Sequence, residues 1–156
     1  MIQSLRRLAA FETLSETDIN ALSKRCHIRY FSAQEEVYAE KSPSAAVYFI
    51  VNGSIGLYKK RKSQATDRVQ AVSAGHFFGE SALIEKAVRT HSAKALEKTQ
   101  VIVLFQSDFA ELETVHPHLA LSILKLVAAK ISRELHIFQT EFHELSQKLA
   151  RDQLMD

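Results

Sequence analysis

AVYFIVNGSIGLYKK, Ala46 to Lys60, decides how the rest of this chain is read: two runs rich in Val, Ile, Tyr and Phe meet at Gly53. Residues of that kind suit a pleated, half-buried surface, and a glycine between the runs supplies the backbone freedom of a tight turn or bulge. The stretch predicts two consecutive strands. Outward from it, "CHIRYF", "EEVYAE", "DRVQAVS", "HSAKALE" and "QVIVLFQ" have the same character and are separated by turn-like clusters such as "KSPSA" and "RKSQATD". Roughly seven or eight strands at intervals of about ten residues predict a compact antiparallel barrel or sandwich rather than alternating βαβ units.

At both ends the apolar period changes from two to three or four. Ile2, Leu5, Leu8 and Ala9 share one helical face, and Ser15 with Asp18 three residues on marks the start of a second helix carrying Ile19, Leu22 and Cys26. After the strands, Ser107 is placed to cap "DFAELETV", and Pro117 to occupy the first turn of a helix that meets no Gly or Pro before the chain's last residue. Along it Leu124, Ala128, Ile131, Leu135, Phe138, Phe142, Leu145 and Leu149 alternate spacings of four and three, a heptad seam sustained over more than three repeats. Part of that seam is expected to pack on the strands. Beyond Phe138 nothing in the sequence remains to bury it, so that part is expected to meet a second copy of the chain. A helix folded back on its own domain is the alternative.

The 156 residues are 46% apolar and carry a net charge of +2, which fits one domain with one core and gives no long-range pull on nucleic acid. A single cysteine excludes an internal disulfide and fits the cytoplasm. No stretch approaches the roughly 18 apolar residues of a membrane span, and no signal-peptide run opens the chain. Seven histidines include the pairs His116/His118 and His136/His143, but neither pair brings a third ligand at a usual spacing, so no metal is expected. "KKRK", residues 59 to 62, reads as a solvated hairpin tip. No nucleophile with its base is visible, Ser81 beside Glu80 included, so catalysis is not expected.

One stretch carries chemistry: "GHFFGESALIEKAVRTHSAKAL", residues 75 to 96, holds two of the four glycines, the carboxylate of Glu80 and the lone Arg89. A helical turn starting near Glu80 would present free N–H groups, and these with a guanidinium can hold a phosphate. Glu80 would repel a phosphate but can accept from a hydroxyl, so a ribose phosphate would use both side chains. A Glu–Arg ion pair tying a loop to the strands would look the same in sequence.

Phe78, Gly79, Glu80, Ala82, Leu83 and Ile84, followed by Arg89, Thr90, Lys94 and Ala95, resemble the phosphate-binding cassette of cyclic nucleotide-binding domains, the family found in regulatory subunits of cyclic AMP-dependent kinases, in gated channels and in the bacterial catabolite activator protein. The resemblance extends over roughly residues 8 to 138, with "AVYFIVNGSIGLYKK" similar to the family's Y-F-I-x-x-G-x-[VI] strand pair. It implies an α+β fold: an antiparallel β-roll or jelly-roll barrel of about eight strands over residues 25–106, with its cassette at 78–95. Helices flank it at 1–24 and 107–156.

For the site, the resemblance implies that Glu80 accepts from the ribose 2′-hydroxyl and Arg89 pairs with the cyclic phosphate. Backbone N–H groups of Ala82 and Thr90 would complete the cradle, and Gly79 would pass close to the ribose. Gln70 and Val72 would line the pocket, and Leu135, Phe138 and Gln139 would form the lid over the base. Ser81 stands where the family commonly has a leucine that couples binding to helix movement, His91 replaces a small residue, and Val88 replaces a common proline. Thr90 is compatible with cyclic AMP, which is favoured, and leaves cyclic GMP open. The expected function is a stand-alone cyclic nucleotide sensor, a homodimer through its last helix, acting on a protein effector. No helix-turn-helix pattern is seen, so no direct DNA binding is expected. A nucleotide-independent interaction module with the same fold is the alternative.

Overall fold

The computed structural model describes residues 1–61 and 66–152. The expected "RKSQATD" turn and the "KKRK" run fall in part on 62–65, and the end of the helical segment expected over 107–156 falls on 153–156, outside the described residues.

Chain order runs α1 (Ile2–Arg6), a 3-10 turn (Ala9–Phe11), α2 (Glu16–Ser23), β1 (Cys26–Phe31), β2 (Glu36–Tyr38), β3 (Ala46–Asn52), β4 (Ser54–Lys60), β5 (Thr66–Ser73), β6 (Phe77–Phe78), a second 3-10 turn (Glu80–Leu83), β7 (Ser92–Ala95), β8 (Thr99–Phe105), α3 (Gln106–Val115) and α4 (Pro117–Asp152). Two compact units result, 1–120 and 121–156, and the second holds the body of α4. Among the described residues no helix is long and apolar enough to cross a membrane.

The eight strands form two four-stranded antiparallel sheets, ordered β1-β8-β3-β6 and β2-β7-β4-β5. Of the two forms expected from the sequence, barrel or sandwich, the strands take the second: among the described residues no strand pair joins one sheet to the other. Their inner faces share one apolar core, to which Ala46, Ile50, Val101 and Val103 contribute from one sheet and Ile55, Leu57, Val72, Ala93 and Ala95 from the other. β3 and β8 lie inside their sheet and are also covered on the outer face. Val47, Phe49, Ile102 and Leu104 are buried there, and Phe11 of the first 3-10 turn packs on Phe49 with ring centroids 4.8 Å apart. Double coverage explains why "VIVLF" is continuously apolar instead of alternating.

Local signals were mostly met. Ser15 accepts from the Asp18 N–H at 3.1 Å, as the capping pattern requires. Gly53 turns between β3 and β4 at φ +86°, and a Cβ there would lie 2.4 Å from Thr99 Oγ1. α1 is shorter than its apolar pattern suggests, and Ile2 is exposed. Ser107 caps nothing: α3 begins one residue earlier, continuing directly out of β8 with Phe105 at its boundary and no side-chain cap.

In the second unit Ile131, Leu135, Phe138, Phe142, Leu145 and Leu149 of the heptad seam are exposed, Phe138 at 62%, and Phe138 and Phe142 stack on each other at 6.1 Å.

Thr99 locks the β3–β4 turn to the start of β8. Fully buried, its hydroxyl accepts from Ser54 N–H at 3.2 Å and reaches the carbonyls of Ser54 at 3.1 Å and Glu97 at 2.9 Å. Thr99→Val keeps the shape and strands those backbone groups, so urea unfolding should show a loss of about 1–3 kcal/mol.

Candidate functional site

The sequence places a glycine before Glu80, and the chain needs one there. Gly79 sits at φ +76°, in the left-handed region, and its carbonyl accepts from Ala82 N–H at 3.3 Å to start the 3-10 turn Glu80–Leu83. A Cβ at 79 would lie 2.6 Å from Arg89 Nη1 and 3.1 Å from the Ala46 carbonyl oxygen. The close approach expected toward a ribose is thus already an approach to the arginine. The turn itself lies against β3 and α3.

The segment leading to Arg89 is stitched to the loop after β2. Ser44 N–H donates to the Ala87 carbonyl at 2.9 Å, and Pro43 bridges Val88. Arg89 N–H donates to the Ser42 carbonyl at 2.8 Å, while Lys41 N–H donates to the Arg89 carbonyl at 2.8 Å. The hydroxyls of Ser44 and Ser81 lie 3.2 Å apart, so Ser81 fastens the turn to the same loop.

Arg89 is only 4% exposed. Its Nη1 donates to the Gly79 carbonyl at 3.0 Å and its Nη2 to the Ala46 carbonyl at 2.6 Å. Its Cζ stands 4.2 Å from the centroid of the Tyr38 ring and 5.7 Å from that of Tyr48. Among the described residues the buried Nε, like that of Arg25, has no hydrogen-bond partner. A buried donor on a permanent cation costs free energy unless something accepts from it.

Beneath the guanidinium Tyr38, Tyr48 and Phe78 form one aromatic platform, with Tyr48 and Phe78 stacked at 5.0 Å. Burial pushes the Tyr38 phenol up to about 12. The Arg89 charge opposes that shift, and the Tyr48 and Glu80 charges add to it. Burial likewise raises the Tyr48 phenol against the pull of Arg89. A single phenol therefore senses both the carboxylate and the cation that the sequence singled out.

The remaining candidates divide. Gly79, Glu80, Ser81 and Ala82 share the turn, and Arg89 closes on it; Ala82 is fully buried, with its N–H taken by the Gly79 carbonyl rather than left free. Gln70 and Val72 occupy one face of β5, pairing with Leu57 and Ile55; Val72 is buried in the core and Gln70 is exposed. Leu135, Phe138 and Gln139 lie exposed in the second unit. Thr90 is exposed, and its hydroxyl lies 2.9 Å from His91 Nδ1. Sequence reading missed Tyr38, Ser44 and the Ala46 carbonyl. Tyr38 looks like any strand aromatic in "EEVYAE", and a backbone acceptor leaves no mark in a sequence.

Residues 28–114, more than half of the chain, match the family model described as "Cyclic nucleotide-binding domain". A protein described as a potassium channel protein from Rhodopseudomonas palustris is 28% identical over 131 residues, covering 84% of this chain and 31% of its own length. The cyclic AMP receptor protein of Thermus thermophilus is 21% identical over 141 residues, covering 90% of this chain and 65% of its own. The chain thus spans less than two thirds of either relative. Among solved structures, the Thermus thermophilus catabolite activator protein superposes with a TM-score of 0.75 at 22% identity, covering 88% of this chain and 62% of that one, a likeness of fold.

His91 gives a pH test. Partial burial lowers its pKa below the ordinary 6.5, the nearby Lys59 charge lowers it further, and Glu40 opposes both. The unfolded chain then binds the proton more readily than the folded one, so stability rises with pH through this window and is lost as pH falls from about 6.5 through the lowered value. His91→Gln should flatten that part of a plot of urea midpoint against pH, leaving the carboxylate titrations below it.

Proposed function

This chain belongs to the cyclic nucleotide-binding domain family, and we propose that it is a regulatory sensor that binds cyclic AMP without catalysis of its own. Occupancy passes to a protein effector through movement or pairing of the C-terminal helix. The observation that carries this reading is Arg89, a cation buried beside the turn built on Gly79, with an Nε donor that nothing in the described chain accepts. A cyclic phosphate, singly negative, supplies that acceptor. Glu80, at the head of the same turn, takes the ribose hydroxyl, and the Thr90 N–H completes the cradle.

Gln70 and Val72 are assigned to the pocket wall, and Leu135, Phe138 and Gln139 to the base. Cyclic AMP is favoured by the cyclic AMP receptor protein among the relatives. Cyclic GMP is the alternative that the Thr90 hydroxyl keeps open, although that hydroxyl already has His91 as a neighbour. Switching follows if the nucleotide binds one arrangement of the protein more tightly than another. The module is placed in the cytoplasm as a homodimer paired through α4, with no contact to DNA.

A second reading has its own support: the Gly79 and Ala46 carbonyls already give Arg89 a structural task, as a nucleotide-independent interaction module would. Thermal denaturation separates the two. Under the sensor reading, cyclic AMP at 100 times its Kd stabilises the protein by about 2.7 kcal/mol, and no shift with millimolar cyclic AMP or cyclic GMP would reject it. Arg89→Ala should remove the ligand-induced shift. It should also lower the starting melting temperature, since two carbonyls lose their donor, so the shift rather than the starting point is the measurement.

Dimerisation is tested by light scattering. Twice the chain mass is expected at micromolar concentration, falling to one chain mass when Phe142→Glu and Leu145→Glu charge the exposed seam. A wild-type monomer with and without nucleotide would reject the paired helix.

A further inference from the structure

A guanidinium held at 4% exposure needs something that attracts its charge without using up the donors a ligand requires. A carboxylate would meet the first need and fail the second, because it accepts from the in-plane N–H groups that a phosphate must reach. An aromatic face meets both, attracting the cation through its quadrupole from above the plane and leaving the edge open.

Tyr38 is placed to do this. It comes from β2, whose pairing with β7 slips between Glu36 and Tyr38: Glu36 lies opposite Lys94, while Tyr38 lies opposite the adjacent Ala93. An irregularity of that kind leaves Val37 as the extra residue and re-aims the side chain that follows it. The ring lies under Arg89 with Cζ 4.2 Å from its centroid, and Tyr48 and Phe78 support it from the side. The phenol is neutral at physiological pH, as an ordinary tyrosine is and more so with burial pushing it up to about 12, so no phenolate competes with an incoming anion.

We infer that Tyr38 is the positioning residue of the anion site: its ring face holds the Arg89 guanidinium by cation–π stacking and leaves the Nε edge for a singly charged cyclic phosphodiester. This rests on the cyclic nucleotide reading for the identity of the anion, but not for the stacking itself.

Two measurements separate the two parts. In calorimetric titrations with cyclic AMP, Tyr38→Phe should bind within about threefold of wild type, and Tyr38→Leu about tenfold more weakly. If Tyr38→Leu disturbs folding, phenylalanines of rising fluorine content at position 38 keep the shape and drain the ring quadrupole; affinity should fall stepwise with fluorination. Unchanged affinity in Tyr38→Leu, or a flat response to fluorination, overturns the inference while the binding reading stands.

Without ligand, the Arg89 Nε–H resonance should be shifted upfield by the ring in wild type and Tyr38→Phe, and lose that shift in Tyr38→Leu. Should wild type bind neither nucleotide, the functional reading falls and the stacking is judged on this resonance alone: a shift that survives Tyr38→Leu overturns it.

Discussion

Everything distinctive about this chain hangs on where one guanidinium is kept. Arg89 bonds the carbonyl that precedes the 3-10 turn and the carbonyl that opens β3, and its face rests on a ring from β2. Three segments far apart in sequence are held by one side chain. Its backbone adds a second tie, since both its N–H and its carbonyl are bonded to the loop at Lys41 and Ser42. Burying a charge is costly unless its donors are met, and Arg89 meets two of three directions with fixed carbonyls. In the proposed sensor, the Nε that no carbonyl meets is what a bound anion would reach.

That arrangement constrains its surroundings. Residue 79 must be glycine twice over, for its positive φ and because any Cβ would strike the guanidinium. Phe78, next to it, belongs both to the core between the sheets and to the platform beneath Arg89. A movement of the cation therefore presses at once on the turn, on the core and, through the turn, on α3. For the proposed sensor this is the route by which an anion at Nε would bias the protein between two arrangements, because a close-packed interior transmits displacement instead of absorbing it.

The comparison of pattern with structure divides by range. Strand runs around Gly53, the Ser15 cap and the uninterrupted helix from Pro117 were legible because each depends on residues within a few positions of one another. Ser107 misled for a local reason, since the start of α3 is set by β8 running straight into it and no hydroxyl cap is used. Whether the sheets close was a question of another kind. Eight alternating segments fit a barrel or a pair of sheets equally well, and only the pairing of non-neighbouring strands separates the two.

The sequence by itself determined most of the elements and the family, and singled out Glu80 and Arg89 as candidates, because Gly79, Glu80 and Arg89 stand at fixed short spacings. Tertiary structure alone decided what those residues do before any ligand arrives. It brought Tyr38 under Arg89, turned Ser81 toward Ser44, set Val72 in the core and left Gln70 exposed. The reason is that stacking, carbonyl acceptance and burial are relations between segments. Side-chain spacing along the chain records none of them, and a backbone oxygen such as that of Ala46 is the same in every residue until the fold brings a donor to it.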